Sequence, residues 1–203
     1  MTRNRLEAFS DGVFAIIITI MVLELKVPHA LEHAPRWSDL APLLPIVGSY
    51  VLSFIYVAIY WNNHHHLFHS VRRVSGSILW ANMHLLFWLS LFPFVTAWTG
   101  ENHFAPVPCA LYGAVLLLAA ISYLLLMRAI LAVHGKDSVL GRAVGSDFKG
   151  KFSPVLYACA IPLAFVHPWI SCGLYLAVAL IWLVPDARIE RALAQSEQPP
   201  TAP

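Results

Sequence analysis

The 203-residue sequence predicts an all-α integral membrane protein with six transmembrane helices and with its N- and C-termini cytoplasmic. Three observations predict this class. Apolar residues make up 59% of the chain and charged residues 12%, against about 25% charge in an average soluble domain; mean hydropathy is +0.67. The apolar residues gather into runs of about 20 with almost no charge, which matches the thickness of bilayer hydrocarbon. The basic residues sort to one side of those runs.

The first run extends from about Glu7 to Val27 and closes at Pro28. Arg3 and Arg5 precede it, as in a secretory signal. Asp11 interrupts its start, however, and Leu25, Lys26 and Val27 follow in place of a small-residue cleavage site, so an uncleaved first span is expected. A polar loop from His29 to Asp39 leads to the second span, Ala41 to Trp61, which continues into the polar string Asn62 to His66. After Arg72 and Arg73, the third span runs from Ser77 to Trp98, with Pro93 predicting a kink near its end. The fourth runs from Pro106 to Ile130. A polar stretch from His134 to Lys151 separates it from two compressed spans, Phe152 to Val166 and Trp169 to Val184, joined only by His167 and Pro168. This organisation predicts a six-helix domain over 1–194 and a disordered tail over 195–203.

Orientation follows from charge. With the N-terminus inside, Arg3, Arg5, Arg72, Arg73, Arg128, Lys136, Arg142, Lys149, Lys151, Arg188 and Arg191 are cytoplasmic or at that boundary, and only Lys26 and Arg36 lie outside. This asymmetry is the positive-inside pattern, and it supports an even number of spans. The predicted location is the cell inner (plasma) membrane, multi-pass. Cys109, Cys159 and Cys172 lie inside apolar runs without C-x-x-C spacing, which predicts buried free thiols and argues against a disulfide framework or a cysteine zinc site.

The first span opens unusually, as Arg5-Leu6-Glu7-Ala8-Phe9-Ser10-Asp11-Gly12. Ionisable groups entering a membrane helix cost a few kcal/mol each on insertion scales (~2.5–3.5), so Asp11, a full turn into the span, is expected to face protein or water. The pattern Arg5, Phe9, Ser10, Asp11 at the head of an apolar first helix resembles the signature of the lysosomal-type potassium channel family (transmembrane protein 175) in its bacterial single-repeat form. Trp61-Asn62-Asn63-His64 followed by Leu67-Phe68, then Asn82, then Leu91-Phe92-Pro93, support the resemblance over spans one to three.

The resemblance implies a homotetrameric, potassium-selective leak-type cation channel whose first helices line a central pore. It also implies narrow apolar rings in place of a carbonyl filter; no Thr-Val-Gly-Tyr-Gly string is present. Carried over by position, the constriction is Ile16, Ile20 and Leu23, with Thr19 as a neighbouring hydroxyl ring. Helical geometry is compatible with this: at about 100° per residue the three apolar positions lie within roughly 60° of one another, and Asp11 falls on nearly the opposite side. Periodicity alone fits equally well a stripe packed on a neighbouring helix. Arg5, Phe9, Ser10, Asp11, Trp61, His64 and Asn82 are expected to form a polar network that fixes the first helix within its own subunit. The expected partners are potassium ions, the lipid bilayer and further copies of the chain; no nucleic acid, no cofactor and no enzymatic activity is expected.

A second reading starts from His64-His65-His66 and His69, since histidines four apart on a helix can share a metal. It suggests a membrane metalloenzyme or a metal transporter. Against it, the spans hold few acidic ligands beyond Glu7, Asp11 and Glu24, and His84 stands alone on span three. Glu24 and Lys26 read either as a charged vestibule or as an interfacial pair at the helix end.

Overall fold

In the computed structural model, described for residues 2–28, 36–69, 71–135 and 148–183, every regular element is helical. Helix α1 spans Arg3–Leu23, and a 3-10 segment, Trp37–Leu43, leads directly into α2, Leu44–His69. Then follow α3 (Gly76–Leu89), α4 (Phe92–Glu101), α5 (Pro106–His134), α6 (Phe148–Val166) and α7 (Pro168–Leu183). Parts of the predicted loops, Pro185, and the predicted tail at 195–203 lie outside the described residues.

Among the described residues, four stretches are long and apolar enough to cross a membrane: Arg3–Leu23, Trp37–His69, Gly76–Glu101 and Pro106–His134. The last two apolar helices are shorter. The 16 described residues of α7 rise about 24 Å, against the ~30 Å of typical hydrocarbon. The sequence predicts six spans; among the described residues, four stretches meet the criterion by length and composition. The turn at His167–Pro168 separates the last two helices, as the sequence predicts. His167 N–H closes α6 on Leu163 O at 2.9 Å, and Pro168 starts α7 at the position where a missing N–H costs nothing.

The third predicted span is broken rather than kinked at its end. Proline has no N–H for the carbonyl four residues back, so Pro93 cannot bond Leu89. The helix stops at Leu89 and restarts at Phe92. Ser90 caps the break: its N–H bonds Leu86 O at 2.9 Å, and its hydroxyl donates to Phe87 O at 2.7 Å. The restarted helix runs on to Glu101, three residues beyond the predicted end.

Helices α5, α6 and α7 pack together, α3 and α4 lie between α5 and the α1–α2 pair, and one apolar core runs through all of them. Its centre is aromatic, with Tyr56, Phe92, Tyr112, Tyr157 and Tyr175 in mutual ring contact. Buried hydroxyls need partners where no water competes, and these have them. Tyr56 donates to Tyr175 O at 2.6 Å, Tyr157 to the Tyr56 hydroxyl at 3.2 Å, and Tyr175 to Cys109 O at 3.1 Å. Tyr112 pairs with Ser53 at 2.9 Å.

Two glycines set helix spacing. A Cβ on Gly100 would lie 2.7 Å from Ile46 Cα, so α4 meets α2 backbone to backbone. A Cβ on Gly113 would strike the Tyr175 hydroxyl, so α5 approaches α7 closely. All three cysteines are free thiols, as expected; Cys109 is buried and Cys172 half-buried, but Cys159 is exposed, against the sequence reading.

Candidate pore helix and its polar anchor

Helix α1 has two unlike faces. Leu6, Ser10, Phe14, Ile17 and Met21 are buried against the subunit. Their spacing of four, four, three and four residues is one stripe of a 3.6-residue helix. Around the cylinder, Ile16, Ile20 and Leu23 are 57%, 42% and 76% exposed, and Thr19 beside them is also exposed. The Thr19 hydroxyl lies 3.1 Å from Ala15 O and 3.0 Å from Ile16 O. Its hydrogen is therefore used within its own helix.

The buried face is fixed by a chain of directed hydrogen bonds. Ser10 donates to Leu6 O at 2.9 Å, so its oxygen accepts from Asn82 Nδ2 at 3.0 Å. That turns Asn82 Oδ1 toward His64 Nε2, 2.8 Å away. A carbonyl oxygen can only accept, so His64 carries its proton on Nε2. Ser10, His64 and Asn82 are all fully buried. The imidazole stacks on Phe68 with ring centroids 4.3 Å apart and meets the edge of Phe14 at 5.6 Å. Its Nδ1 is buried without a partner among the described residues. Three helices are thus joined at one point, α1 by Ser10, α2 by His64 and α3 by Asn82.

Asp11 makes a separate contact, accepting from Trp61 Nε1 at 3.0 Å. Here the structure corrects the sequence reading. Asp11, which the helical wheel places opposite the apolar stripe, is exposed at the flank of α1, and Ser10 sits at the centre of the buried face. A helical wheel gives angles between residues but not the side from which neighbouring helices arrive; α2 and α3 arrive on the Ser10 side. Arg5 and Phe9 are exposed and stand apart from the network.

Other residues hold α1 that sequence reasoning passed over. The Thr96 hydroxyl lies 2.6 Å from Ser53 Oγ and 3.9 Å from Met21 Sδ, a polar contact toward the C-terminal end of the buried face. Beyond the end of α1, Lys26 pairs with Glu101 at 2.9 Å, and not with Glu24 as the adjacent charges suggested. This bond to Glu101 holds the Lys26 ammonium above its ordinary pKa of 10.5. At the other end, Glu7 lies 3.6 Å from Arg3 and 3.4 Å from His65. The polar residues Ser53 and Thr96 inside apolar runs were the available signal; the Lys26–Glu101 pairing, 75 residues apart, had none.

The histidine string does not converge. His64 points into the subunit, while His65 stacks between Trp61 and His69, its ring 12° from parallel with that of His69. Among the described residues no three His, Cys, Asp or Glu side chains are grouped to hold a metal ion. The metal reading expected histidines four apart to share a site; His65 and His69 do come together, with ring centroids 6.5 Å apart, but among the described residues they lack the further ligands a metal site needs.

Residues 5–93 match the family model described as "Endosomal/lysosomal potassium channel TMEM175". That region contains Ser10, Asp11, Trp61, His64 and Asn82 and ends at the proline behind the α3–α4 break. A potassium channel of Chryseobacterium sp. (strain P1-3) is 55% identical over 196 residues, covering 97% of this chain and 100% of that protein. The chain belongs to the TMEM175 family. A potassium channel of Chamaesiphon minutus is 33% identical over 187 residues, covering 87% of this chain and 91% of that protein. The fold agrees with the crystal structure of a lysosomal potassium-selective channel TMEM175 homolog from Chamaesiphon minutus. The TM-score is 0.78 at 33% identity, over 90% of this chain and 96% of that one. The human endosomal/lysosomal proton channel TMEM175 is 27% identical and more than twice as long, with 46% of its length matched. These TMEM175 relatives are channels and not enzymes, and the metalloenzyme reading of the histidine string falls with that.

Proposed function

We propose that this TMEM175 chain is one subunit of a homotetrameric, potassium-selective leak channel of the cell inner membrane. Each subunit crosses the bilayer six times with both termini cytoplasmic, and α7 and the apolar part of α6 cross as short helices. Four copies of α1 surround the axis. Ile16, Ile20 and Leu23 form the constriction, and Thr19 adds a ring of hydroxyl oxygens.

One observation carries the pore assignment: α1 is anchored through Ser10 and leaves the stripe Ile16, Ile20, Leu23 uncovered by its own subunit. In a membrane an uncovered apolar face is satisfied by lipid, so exposure by itself does not choose between lipid and pore. The choice is supported by the channel relatives at 55% and 33% identity and by exposed Thr19, whose hydroxyl oxygen gains nothing from lipid. A closed ring of subunits is what a single lining helix requires.

Such a pore works without a dedicated ion site. A narrow ring of isoleucine and leucine side chains excludes water and blocks conduction. Modest widening lets an ion pass with part of its hydration shell, and the ion whose shell is cheaper to strip passes more readily, which favours potassium over sodium. Thr19 oxygens replace some of the lost water. The polar anchor, together with the Asp11–Trp61 contact and the buried apolar face, keeps the stripe on the axis.

The test is flux through purified protein in liposomes under potassium and then sodium gradients. Potassium flux exceeding sodium flux supports the assignment. Absence of cation flux, or equal flux for both ions, contradicts it.

A further inference from the structure

The two cysteines nearest the outer helix ends meet. Cys109 Sγ, one turn into α5, and Cys172 Sγ, one turn into α7, are 3.8 Å apart across 63 residues of sequence. A second contact holds that juxtaposition: Tyr175, on the same face of α7 as Cys172, donates to the carbonyl of Cys109 itself at 3.1 Å. Small residues let the helices come this close. Ala110 and Ala164 pack beside Cys109, and a Cβ on Gly113 would collide with Tyr175. The sulfurs also border a small cavity shared with Ser49, Thr99 and Phe104, which leaves room for them to move.

We propose that Cys109 and Cys172 form an intrasubunit disulfide, made by disulfide oxidants that reach the outer face of the membrane. The outward placement rests on the orientation given under Proposed function, in which α5 and α7 both begin at the outer surface. Each sulfur lies within about 6 Å of its helix start at 1.5 Å per residue, in the interfacial zone rather than the hydrocarbon centre. An S–S bond of about 2.05 Å requires the sulfurs to close by ~1.8 Å, within reach of side-chain rotation and a small helix shift.

The exchange balances with the oxidant. Half-buried Cys172, as thiolate, attacks one sulfur of a small-molecule or protein disulfide and expels the other as a thiol. Cys109, also losing its proton, then attacks the Cys172 sulfur and expels the second thiol. Two protein thiols are oxidised and one external disulfide is reduced to two thiols. The product ties α5 to α7 beside Tyr112 and Tyr175, the tyrosines that lead through Ser53 and Thr96 to Met21 of α1. Cys159, exposed on α6, serves as an internal control.

The experiment uses the full chain in right-side-out and inside-out membrane vesicles treated with oxidised glutathione, which does not cross the bilayer. N-ethylmaleimide then alkylates the remaining thiols before digestion and mass spectrometry without reductant. The expected product, from right-side-out vesicles, is a single-subunit species that has lost ~2 Da and links the Cys109 and Cys172 peptides. Cys159 stays alkylated, and Cys109→Ser and Cys172→Ser each abolish the link. Alkylation of all three cysteines on both sides, or a link through Cys159 or between subunits, overturns the proposal while leaving potassium flux and the channel reading intact. A Cys109–Cys172 link formed only in inside-out vesicles overturns the outward placement, and the proposed orientation with it.

Discussion

Asn82 on α3 donates to Ser10 on α1 at 3.0 Å, so the helix with the uncovered apolar stripe is held by a side-chain bond from a neighbour, and not by apolar packing alone. Because Asn82 also accepts from His64, its removal orphans two buried groups at once. Asn82→Ala is expected to destabilise the subunit by roughly 2–6 kcal/mol, at about 1–3 kcal/mol for each of the two buried polar groups left unpaired. Ser10→Ala, which orphans one amide hydrogen, should cost about half as much. Thermal unfolding in detergent, followed by tryptophan fluorescence, measures both. Equal losses for the two variants would contradict the shared-partner geometry.

Gly100 makes a steric prediction. Its missing side chain allows α4 to sit on the backbone of Ile46, and a methyl group there forces the helices apart. Gly100→Ala should destabilise by about 1–3 kcal/mol, the usual cost of overpacking a close contact, and Gly100→Val by more. An unchanged unfolding midpoint for Gly100→Ala would mean that α4 and α2 are not in backbone contact.

Thr19 separates structure from permeation. Its hydroxyl bonds only within α1 and its side chain is exposed, so the isosteric Thr19→Val should change stability by no more than ~0.5 kcal/mol. Loss of the oxygen ring should still lower the potassium-to-sodium flux ratio. Paired unfolding and liposome flux measurements decide it. A flux ratio equal to that of the unaltered protein would remove Thr19 from the pore lining.

The Lys26–Glu101 pair gives a pH prediction with a definite sign. The Lys26 pKa is raised in the folded protein by Glu101, so any stabilisation by the pair is present below the ordinary value of 10.5 and is lost as pH rises through the still higher folded value. The pair is therefore intact and constant between pH 6 and 8. Any change in potassium flux over that interval should persist in Glu101→Gln. A pH response abolished by that substitution would show that the pair titrates there.

Much of this was legible along the chain and some was not, for physical reasons. Composition and charge sorting made the membrane class readable, and the 3.6-residue period placed Ile16, Ile20 and Leu23 on one face. The identities in the Ser10, His64 and Asn82 cluster were readable through the family motif, but the choice of Ser10 rather than Asp11 for the buried centre was not. Pro93 was read as a kink; whether a proline bends a helix or stops it depends on whether a residue such as Ser90 can cap the broken end. The contacts Lys26–Glu101 and Cys109–Cys172 join residues 75 and 63 positions apart, and no local pattern encodes such pairs.

The central claim is that the exposed stripe of α1 is the constriction. Replacement of Ile16 by alanine tests it most directly, by potassium and sodium flux in liposomes alongside the unaltered protein. A wider, less apolar ring is predicted to raise total cation flux and to lower the potassium-to-sodium ratio toward unity. Flux and ratio both unchanged, with the variant folded and inserted, would place Ile16 against lipid and contradict the pore assignment.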